Sequence, residues 1–427
     1  MAALETLRRL QAQQREATSE ERAVLARWSG WGAAGLAEVF DESREEYYPD
    51  REELRQLLSA REYDAARRTT LNAHYTDPEI ARTMWAMMAQ LRVSAGNVLE
   101  PGSGAGVFIG TAPEGVRMTG VEVDPTTAAI SQAIYPQAEI RAESFADTKV
   151  RDGVFDAVVG NVPFSRTVLH DPVHNPGRFS MHNHFIVKSL DLLRPGGVMG
   201  VITSSYTMDA RGSAAREAMA ERADLIGAVR LPNGAFQRSA GTDALTDVLF
   251  FRRREEGRAP ADQSWVDVTE FSEDVPVNTY WVDHPQRVLG EMRIGSGPFG
   301  DRLEVAGELD TVAPHLETRL LQMAGDAQSR DLVASEPVAA PAERIVTPDL
   351  ADAPYGTIVE TGEAQFGTVT AGGDIAPLRV SATNVAEMRQ ALALRDMARE
   401  VLSIEASTTE DSPEPVSYTH LRAHETN

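Results

Sequence analysis

The 427-residue sequence contains no cysteine, which excludes disulfide bonds and thiolate metal sites and is typical of a reducing compartment. The opening residues, MAALETLRRLQAQQREATSEE, are too polar for a signal peptide, and no apolar run approaches the length of a membrane-spanning helix. The phosphate loop G-x-x-x-x-G-K-[ST] is also lacking, which argues against an ATPase. We therefore predict a cytoplasmic protein with no membrane partner.

Basic side chains are scarce relative to acidic ones, and the formal net charge is −23. Residues 301–427 hold 22 acidic and 9 basic side chains, so the acidity is concentrated towards the C-terminal end. This balance argues against strong nonspecific affinity for DNA, although a local arginine cluster can still position a phosphate backbone. With 42% hydrophobic residues, the chain can bury one large α/β core and carry appendages.

The stretch around which the chain is organised is VLEPGSGAGVFIG, at positions 98–110. It predicts a buried strand that enters a turn rich in glycine, where main-chain N–H groups can approach a ligand before a helix begins. The glycines of the turn alternate with other residues and follow an acid: Glu100, Gly102, Gly104 and Gly106. Dinucleotide-binding enzymes instead favour G-x-G-x-x-G, and Val107 stands where its third glycine would fall.

A second apolar strand, MTGVEVD, ends in two carboxylates, and Glu122 lies 20 residues beyond Gly102. An acid at this position relative to a glycine turn can accept both hydroxyl groups of a ribose, and we favour this role over a solvated strand end. A further buried strand over 154–160 leads into the sequence NVPF, which begins at Asn161. Ligands of open parallel sheets bind at this carboxyl edge.

Taken together, the two stretches resemble motifs of the S-adenosylmethionine-dependent methyltransferases of class I. The glycine turn resembles motif I, and NVPF resembles the [DN]-P-P-[YF] motif of enzymes that methylate amino groups, with Val162 replacing the first proline. The resemblance implies S-adenosylmethionine as cofactor and Asn161, Pro163 and Phe164 as the catalytic motif, with Asn161 holding the amine and Phe164 stacking on a planar substrate. The amide oxygen of Asn161 and a main-chain carbonyl can accept both amine hydrogens, so no nucleophilic cysteine is needed.

Two further stretches resemble cofactor-binding elements of the same superfamily. HYTDPEI is similar to motif X, which implies that Tyr75 and Thr76 reach the methionine end of the cofactor. Thr76 can equally cap the helix that Pro78 begins. Ser144 and Phe145 stand where many relatives place Asp-Phe beside the adenine, so Phe145 is expected against that ring and Ser144 beside it.

A closer resemblance follows from the order of W-x-G-W-G, TLNAHYT, LEPGSGAGVF, GVEVD, GNVPF, LRPGGV and LPNGAFQRSAGT. This series looks like the adenine-specific N6 DNA methyltransferase domain of large phage, plasmid and conjugative-element proteins, over roughly residues 20–300. It implies DNA as substrate and a helicase region in a longer parent protein. The motif alone also allows an RNA base or a protein glutamine as the methyl acceptor, and a non-catalytic DNA-binding module is a third alternative.

Alternating strand and helix patterns predict an α/β, Rossmann-like class I methyltransferase fold. We expect a mostly parallel seven-stranded sheet, a closing antiparallel hairpin and a helical N-terminal cap. The predicted divisions are a cap over 1–71, a catalytic domain over 72–254, a C-terminal extension packed on the core over 255–333, a linker over 334–354, a small β module with a helix over 355–405, and a disordered tail over 406–427.

Three further expectations concern the surroundings of the site. Trp28 and Trp31 either pack the cap onto the core, which we favour, or form a stacking platform for a base. The polar stretch 165–184 is expected to face the substrate, with its arginines and histidines near phosphates, and its histidines are a poor match to a metal site. Residues 265–310 are predicted to form a short extended segment and a helix.

Overall fold

The computed structural model describes residues 1–32, 36–70, 76–236, 244–297, 300–336, 357–362, 365–369, 375–378, 380–381 and 384–407. The chain divides into two compact units, Met1–Pro337 and Val338–Asn427. Tyr75, the predicted linker from position 337 onward and the tail from position 408 onward lie outside the described residues. No helix in the described ranges has the length and apolar character needed to cross a bilayer.

The N-terminal region is helical, as predicted. Its helices are α1 (Ala2–Gln13), α2 (Ser19–Leu25), α3 (Leu36–Val39), α4 (Tyr48–Leu57) and α5 (Ala60–Thr69). Thr18 with Glu21 forms a capping box at the start of α2, and Ser59 with Glu62 forms a second one at the start of α5.

A seven-stranded sheet forms the centre of the first unit. Its strands are β1 (Gly96–Pro101), β2 (Val116–Glu122), β3 (Glu139–Ala142), β4 (Phe155–Asn161), β5 (Leu193–Ser204), β6 (Ala223–Arg230) and β7 (Thr246–Arg253). They lie in the order β3-β2-β1-β4-β5-β7-β6, and β7 is antiparallel to both of its neighbours. The predicted α/β, Rossmann-like fold with a mostly parallel sheet and a closing antiparallel hairpin is confirmed.

Helices cover the sheet because the central strands are apolar on both faces; in β4, for example, the consecutive residues Ala157, Val158 and Val159 are all fully buried. These helices are α6 (Pro78–Gln90), α7 (Val107–Gly110), α8 (Pro125–Ile134), α9 (Met181–Leu192), α10 (Tyr206–Asp209) and α11 (Ala214–Arg222). Aspartate side chains cap α6 and α8, each with proline in the first turn. The N-terminal helices pack on α8, whose Ile130 belongs to their hydrophobic cluster.

The segment after β7 differs from the prediction. Instead of an extended segment and a helix, the described residues of 265–310 form antiparallel pairs and a short α-helix: β8 (Val268–Ser272), β9 (Val275–Asn278), α12 (Thr279–Asp283), β10 (Glu291–Gly297) and β11 (Gly300–Ala306). Pro285 prevents α12 from continuing, and alternate residues such as Val275 and Val277 turn towards the core.

Helix α13 (Val312–Ser329) then packs against α6 and buries Leu316 and Leu320. The chain stays attached to the core beyond it, because the Ala334 N–H donates to the Leu91 carbonyl and the Ser335 N–H to the Gly196 carbonyl, both at 2.9 Å. The predicted start of a linker at position 334 is therefore wrong, since these main-chain groups are bonded to the core.

The second unit contains the short strands and the helix predicted there. Strands β12 (Ile358–Gly362), β13 (Gln365–Val369) and β14 (Ile375–Leu378) form an antiparallel sheet, and helix α14 spans Val385–Ser407. The Arg389 guanidinium forms an ion pair with Glu360 at 2.6 Å, which ties α14 to β12.

Candidate active site

A cavity of about 560 Å³ lies at the carboxyl edge of the sheet, at the ends of β1, β2 and β4. The predicted site residues on its wall are Thr76, Glu100, Gly102, Gly104, Glu122, Ser144, Phe145, Asn161 and Pro163. The glycine turn and the NVPF stretch thus share one cavity, although about 60 residues of sequence separate them. Parallel topology explains this meeting, because the carboxyl ends of neighbouring strands lie side by side.

The backbone conformation of the glycine turn requires glycine. Gly102, Gly104 and Gly106 have φ values of 71°, 53° and 84°, in the left-handed region that other residues rarely adopt. Gly106 does not line the cavity; a Cβ there would lie 2.8 Å from the Tyr135 ring, so this glycine permits close packing behind the turn. The helix expected after the turn begins at Val107 but lasts only four residues.

The Glu122 carboxylate supports the glycine turn and also faces the cavity. One of its oxygens accepts the Gly104 N–H at 2.9 Å, and the other accepts the Asp124 N–H at 2.8 Å. Burial raises the pKa of Glu122 to about 7, and the nearby Asp124 carboxylate adds to the rise while the two N–H groups oppose it.

Glu100 is a second carboxyl group on the same wall, and only 2% of it is exposed. Burial raises its pKa well above the usual value, and the negative charge of Glu122 adds to this rise. Its Oε2 atom accepts no hydrogen bond from the residues that the structure describes. The cavity therefore contains a buried acceptor that is suited to a ligand with a polar N–H or O–H group.

Asn161 ends β4, and its Nδ2 atom donates to the Thr76 hydroxyl at 3.2 Å. Asp77, and not Thr76, caps α6 with its side chain, so Thr76 is left to hold the Asn161 amide. The adjoining Val162 N–H donates to the Ile202 carbonyl at 3.0 Å, a bond that the proline of the family motif could not make. Valine at this position therefore extends the pairing of β4 with β5.

Phe164 lies away from the cavity wall. It is half-buried and packs against the hydrophobic cluster that contains Trp85 and Phe108. Pro163 does reach the wall, and a Cβ at Gly102 would lie 3.4 Å from its Cδ atom. The structure thus brings Pro163 and the glycine turn together, whereas Phe164 is not among the residues that line the cavity.

Ser144 and Phe145 also line the cavity. The Phe145 ring is 4.8 Å from the Phe185 ring, and the Lys188 ammonium lies 5.1 Å from its centroid. Lys188 is buried and donates to Asp171 at 2.9 Å. This buried charge beside the Phe145 ring was not predicted, because no local pattern marks a lysine that pairs with a residue 17 positions away.

The expectation that histidines of the 165–184 stretch lie near phosphates is wrong for two of them. His184 is fully buried with its Nε2 atom 3.1 Å from Asp171, and His182 is 4% exposed with its Nδ1 atom 3.1 Å from the Ser165 carbonyl. Both side chains therefore hold the loop in place. In the described part of the chain, no group of three or more His, Cys, Asp or Glu side chains could hold a metal ion.

The N-terminal cap contributes to the cavity, which the sequence did not reveal. Trp31, Arg61 and Arg68 line it, the two arginines from α5. The Trp31 indole donates to Asp124 at 2.9 Å and is 2% exposed, so it packs the cap onto the core as favoured and cannot act as a stacking platform. Trp28 packs edge-on against it at 4.8 Å.

Comparison with known proteins agrees with this geometry. Residues 122–236, which include Glu122 and Asn161, match the family model of the Eco57I restriction-modification methylase. A relative from Escherichia phage P1, "Defense against restriction protein B", is 31% identical over 207 residues. That match covers 47% of this chain but 9% of the phage protein, so the chain spans less than a tenth of it.

Two solved structures overlap with the chain more loosely. The type I restriction-modification methyltransferase subunit from Streptococcus thermophilus is 13% identical, with a TM-score of 0.41 over 65% of this chain and 63% of that one. A protein from Vibrio vulnificus YJ016, assigned as a type I modification subunit, is 18% identical, with a TM-score of 0.37 over 70% and 66% of the two chains. Residues 122–236 of this chain are thus similar to the Eco57I restriction-modification methylase family.

Proposed function

We propose that this protein transfers a methyl group from S-adenosylmethionine to the N6 amino group of adenine in DNA. The observation that carries the proposal is the shared cavity, whose wall contains both the Gly104 turn and the Asn161 carboxamide. The match of residues 122–236 to a restriction-modification methylase family supports DNA as the substrate. Methylation of an RNA base or of a protein glutamine is the alternative that the same amide chemistry allows.

The cavity wall fits S-adenosylmethionine. Glu122 can accept ribose hydroxyls, the ring of Phe145 is suited to pack against adenine, and the unsatisfied Oε2 of Glu100 can accept a hydrogen bond from an ammonium group. When bound, the cofactor supplies an electrophilic methyl group on a sulfonium. Gly102 and Gly104 let the main chain approach the ligand without a side chain in the way.

The role proposed for Asn161 follows from the poor nucleophilicity of adenine N6, whose lone pair is delocalised into the ring. The Asn161 amide oxygen and a neighbouring main-chain carbonyl accept the two hydrogens of the amine, which favours a more tetrahedral and more nucleophilic nitrogen. The hydrogen bond to Thr76 restrains the Asn161 amide while its oxygen accepts an amine hydrogen. In a duplex, the target base has to leave the stack to reach this edge of the sheet.

The resemblance noted above leads us to propose that a helicase region accompanies this domain in a longer cytoplasmic protein. The phage P1 relative is consistent with this idea, because its match covers only 9% of that protein. The substrate and partners of the whole protein are part of the same proposal.

Transfer of labelled methyl groups to unmethylated DNA, RNA and protein, measured side by side, tests the proposal. We expect label in DNA, recovered as N6-methyladenine. Asn161→Ala should lower the rate at least about a hundredfold, the order expected for loss of a transition-state hydrogen bond, while cofactor binding persists. Asn161→Asp is the matched control, since its carboxylate keeps the acceptor oxygen and replaces only the Nδ2 donor. Label in RNA or protein alone, or full activity of Asn161→Ala, would overturn the assignment.

A further inference from the structure

A second cavity, of about 480 Å³, lies at the same edge of the sheet beside the end of β5. Asn161 of β4 pairs with Ile202 of β5, and β5 ends two residues later at Ser204. Ser204, Tyr206 and Leu245 are among the residues that line this cavity. The second cavity therefore begins one strand away from the Asn161 amide, which we propose to bind the target base.

Tyr206 stands at this position with an exposed side chain. It is 53% exposed, whereas aromatic side chains are usually covered in a folded core. The Arg166 guanidinium lies over the ring, 4.9 Å from its centroid. Arg166 follows Asn161 by five residues, so the loop that leaves the proposed catalytic motif reaches directly to Tyr206.

The charges around Arg166 and Tyr206 indicate what kind of ligand fits there. Arg166 is exposed and makes no ion pair with the described part of the chain, whereas Arg211 on the cavity wall is paired with Glu270. Asp274 and Asp301 also line the cavity, which disfavours a phosphate inside it. A ligand that combines a flat uncharged ring with an outer negative charge matches this arrangement, with the ring at Tyr206 and the charge at Arg166.

We infer that Arg166 and Tyr206 bind the nucleotide next to the target adenine, with its base stacked on the Tyr206 ring and its phosphate at Arg166. The inference rests on the proposed function, because it assumes a nucleic-acid substrate. Aromatic rings and arginine planes are the surfaces on which proteins stack bases that have left the helix. When a target base is flipped out, its neighbour loses a stacking partner, and Tyr206 can replace that partner.

The test measures methyl transfer to unmethylated plasmid DNA by the full chain and by Tyr206→Ala. We expect the KM for DNA to rise about tenfold, within the range that alanine substitution of a base-stacking residue causes, and the KM for S-adenosylmethionine to stay within about twofold. Tyr206→Phe keeps the ring and should resemble the wild type. Tyr48→Ala is the matched control, since Tyr48 is 58% exposed in the N-terminal cap.

Binding of a fluorescent single-stranded oligodeoxynucleotide, measured at several salt concentrations, separates the two roles. Arg166→Ala should lower the slope of log affinity against log salt by about 1, and Arg166→Lys should keep that slope while it weakens binding. If the wild type methylates DNA and Tyr206→Ala changes neither the KM for DNA nor oligonucleotide binding, the inference is wrong and the proposed function stands. If the wild type methylates only protein, and Tyr206→Ala affects only that substrate, the nucleotide assignment is wrong.

If the wild type transfers no methyl group to DNA but Tyr206→Ala still weakens oligonucleotide binding about tenfold, the nucleotide site stands and the proposed reaction is wrong. Failure of the two proposals is therefore distinguishable in one set of measurements.

Discussion

The Nδ2 atom of Asn161 lies 3.2 Å from the Oγ1 atom of Thr76, two residues that are 85 positions apart in the sequence. The hydrogen bond joins the end of β4 to the residue just before the cap of α6. This hydrogen bond restrains the Asn161 carboxamide, which we propose to bind the amine of the substrate. Thr76 is buried, so water cannot easily replace its hydroxyl in this bond. Two separate motifs, one containing Thr76 and the other Asn161, therefore position the proposed site.

Replacement of Thr76 by valine removes this hydrogen bond and keeps the shape of the side chain. We expect kcat for methyl transfer to fall about tenfold, as for the loss of about 1.4 kcal/mol of transition-state stabilisation, with a smaller change in the KM for DNA. Thr76→Ser keeps the hydroxyl and should retain most of the activity. Steady-state kinetics of both variants would contradict this role if valine and serine behaved alike.

Affinity for S-adenosylmethionine should rise with pH between about 6 and 8. Burial first, and then the Asp124 charge, raise the pKa of Glu122 to about 7, so its carboxyl group is mostly protonated at pH 6. The ionised form is the better acceptor for ribose hydroxyls, so binding favours loss of the proton. Isothermal titration at several pH values measures this effect. Glu122→Gln should bind weakly with a flat profile, and a wild-type affinity that falls with pH would contradict the assignment.

The Trp31 indole should stabilise the attachment of the cap. Its hydrogen bond to Asp124 is buried and has a carboxylate acceptor, so Trp31→Phe should cost about 2 kcal/mol of unfolding free energy. Trp28→Phe is the matched comparison, because the half-buried Trp28 donates to the neutral Thr127 hydroxyl and should cost about 1 kcal/mol. Urea denaturation followed by circular dichroism tests this order. Equal costs would show that the charge of Asp124 contributes nothing.

The buried pair of Lys188 and Asp171 allows a double-mutant test. Lys188→Met leaves a buried carboxylate without its main partner, and we expect a loss of about 3 to 5 kcal/mol of unfolding free energy. Adding Asp171→Asn removes that charge and should recover part of the loss. Denaturation of the two single variants and the double variant gives the coupling energy, and strictly additive losses would argue against a direct interaction.

Local features of this protein could be predicted because their causes are local. The left-handed turn at Gly104 needs glycine, and the capping box between Thr18 and Glu21 depends on only four consecutive residues. The spacing of the acid at Glu122 from that turn reflects the length of one helix and one strand, and the structure does place Glu122 beside the turn. Such patterns determine elements and their order along the chain.

Other features depend on contacts between distant segments. Nothing near Arg61 or Arg68 indicates that α5 borders the cavity, because the helix reaches it through the packing of the cap on α8. Phe164 has the chemistry of a stacking residue, yet its ring packs against the core. The antiparallel pairing of β10 with β11 was missed for the same reason, since the conformation of each strand depends on its partner and not on its own pattern alone.

The amino-acid sequence by itself determined the parallel α/β fold and the meeting of the glycine turn with Asn161, because alternating strand and helix patterns imply parallel strands whose carboxyl ends share one edge of the sheet. Only the tertiary structure decided which side chains complete the cavity, how deeply Lys188 is buried, and where Tyr206 stands. These outcomes depend on the packing of elements that are far apart in the chain, and a local pattern carries no information about its distant neighbours.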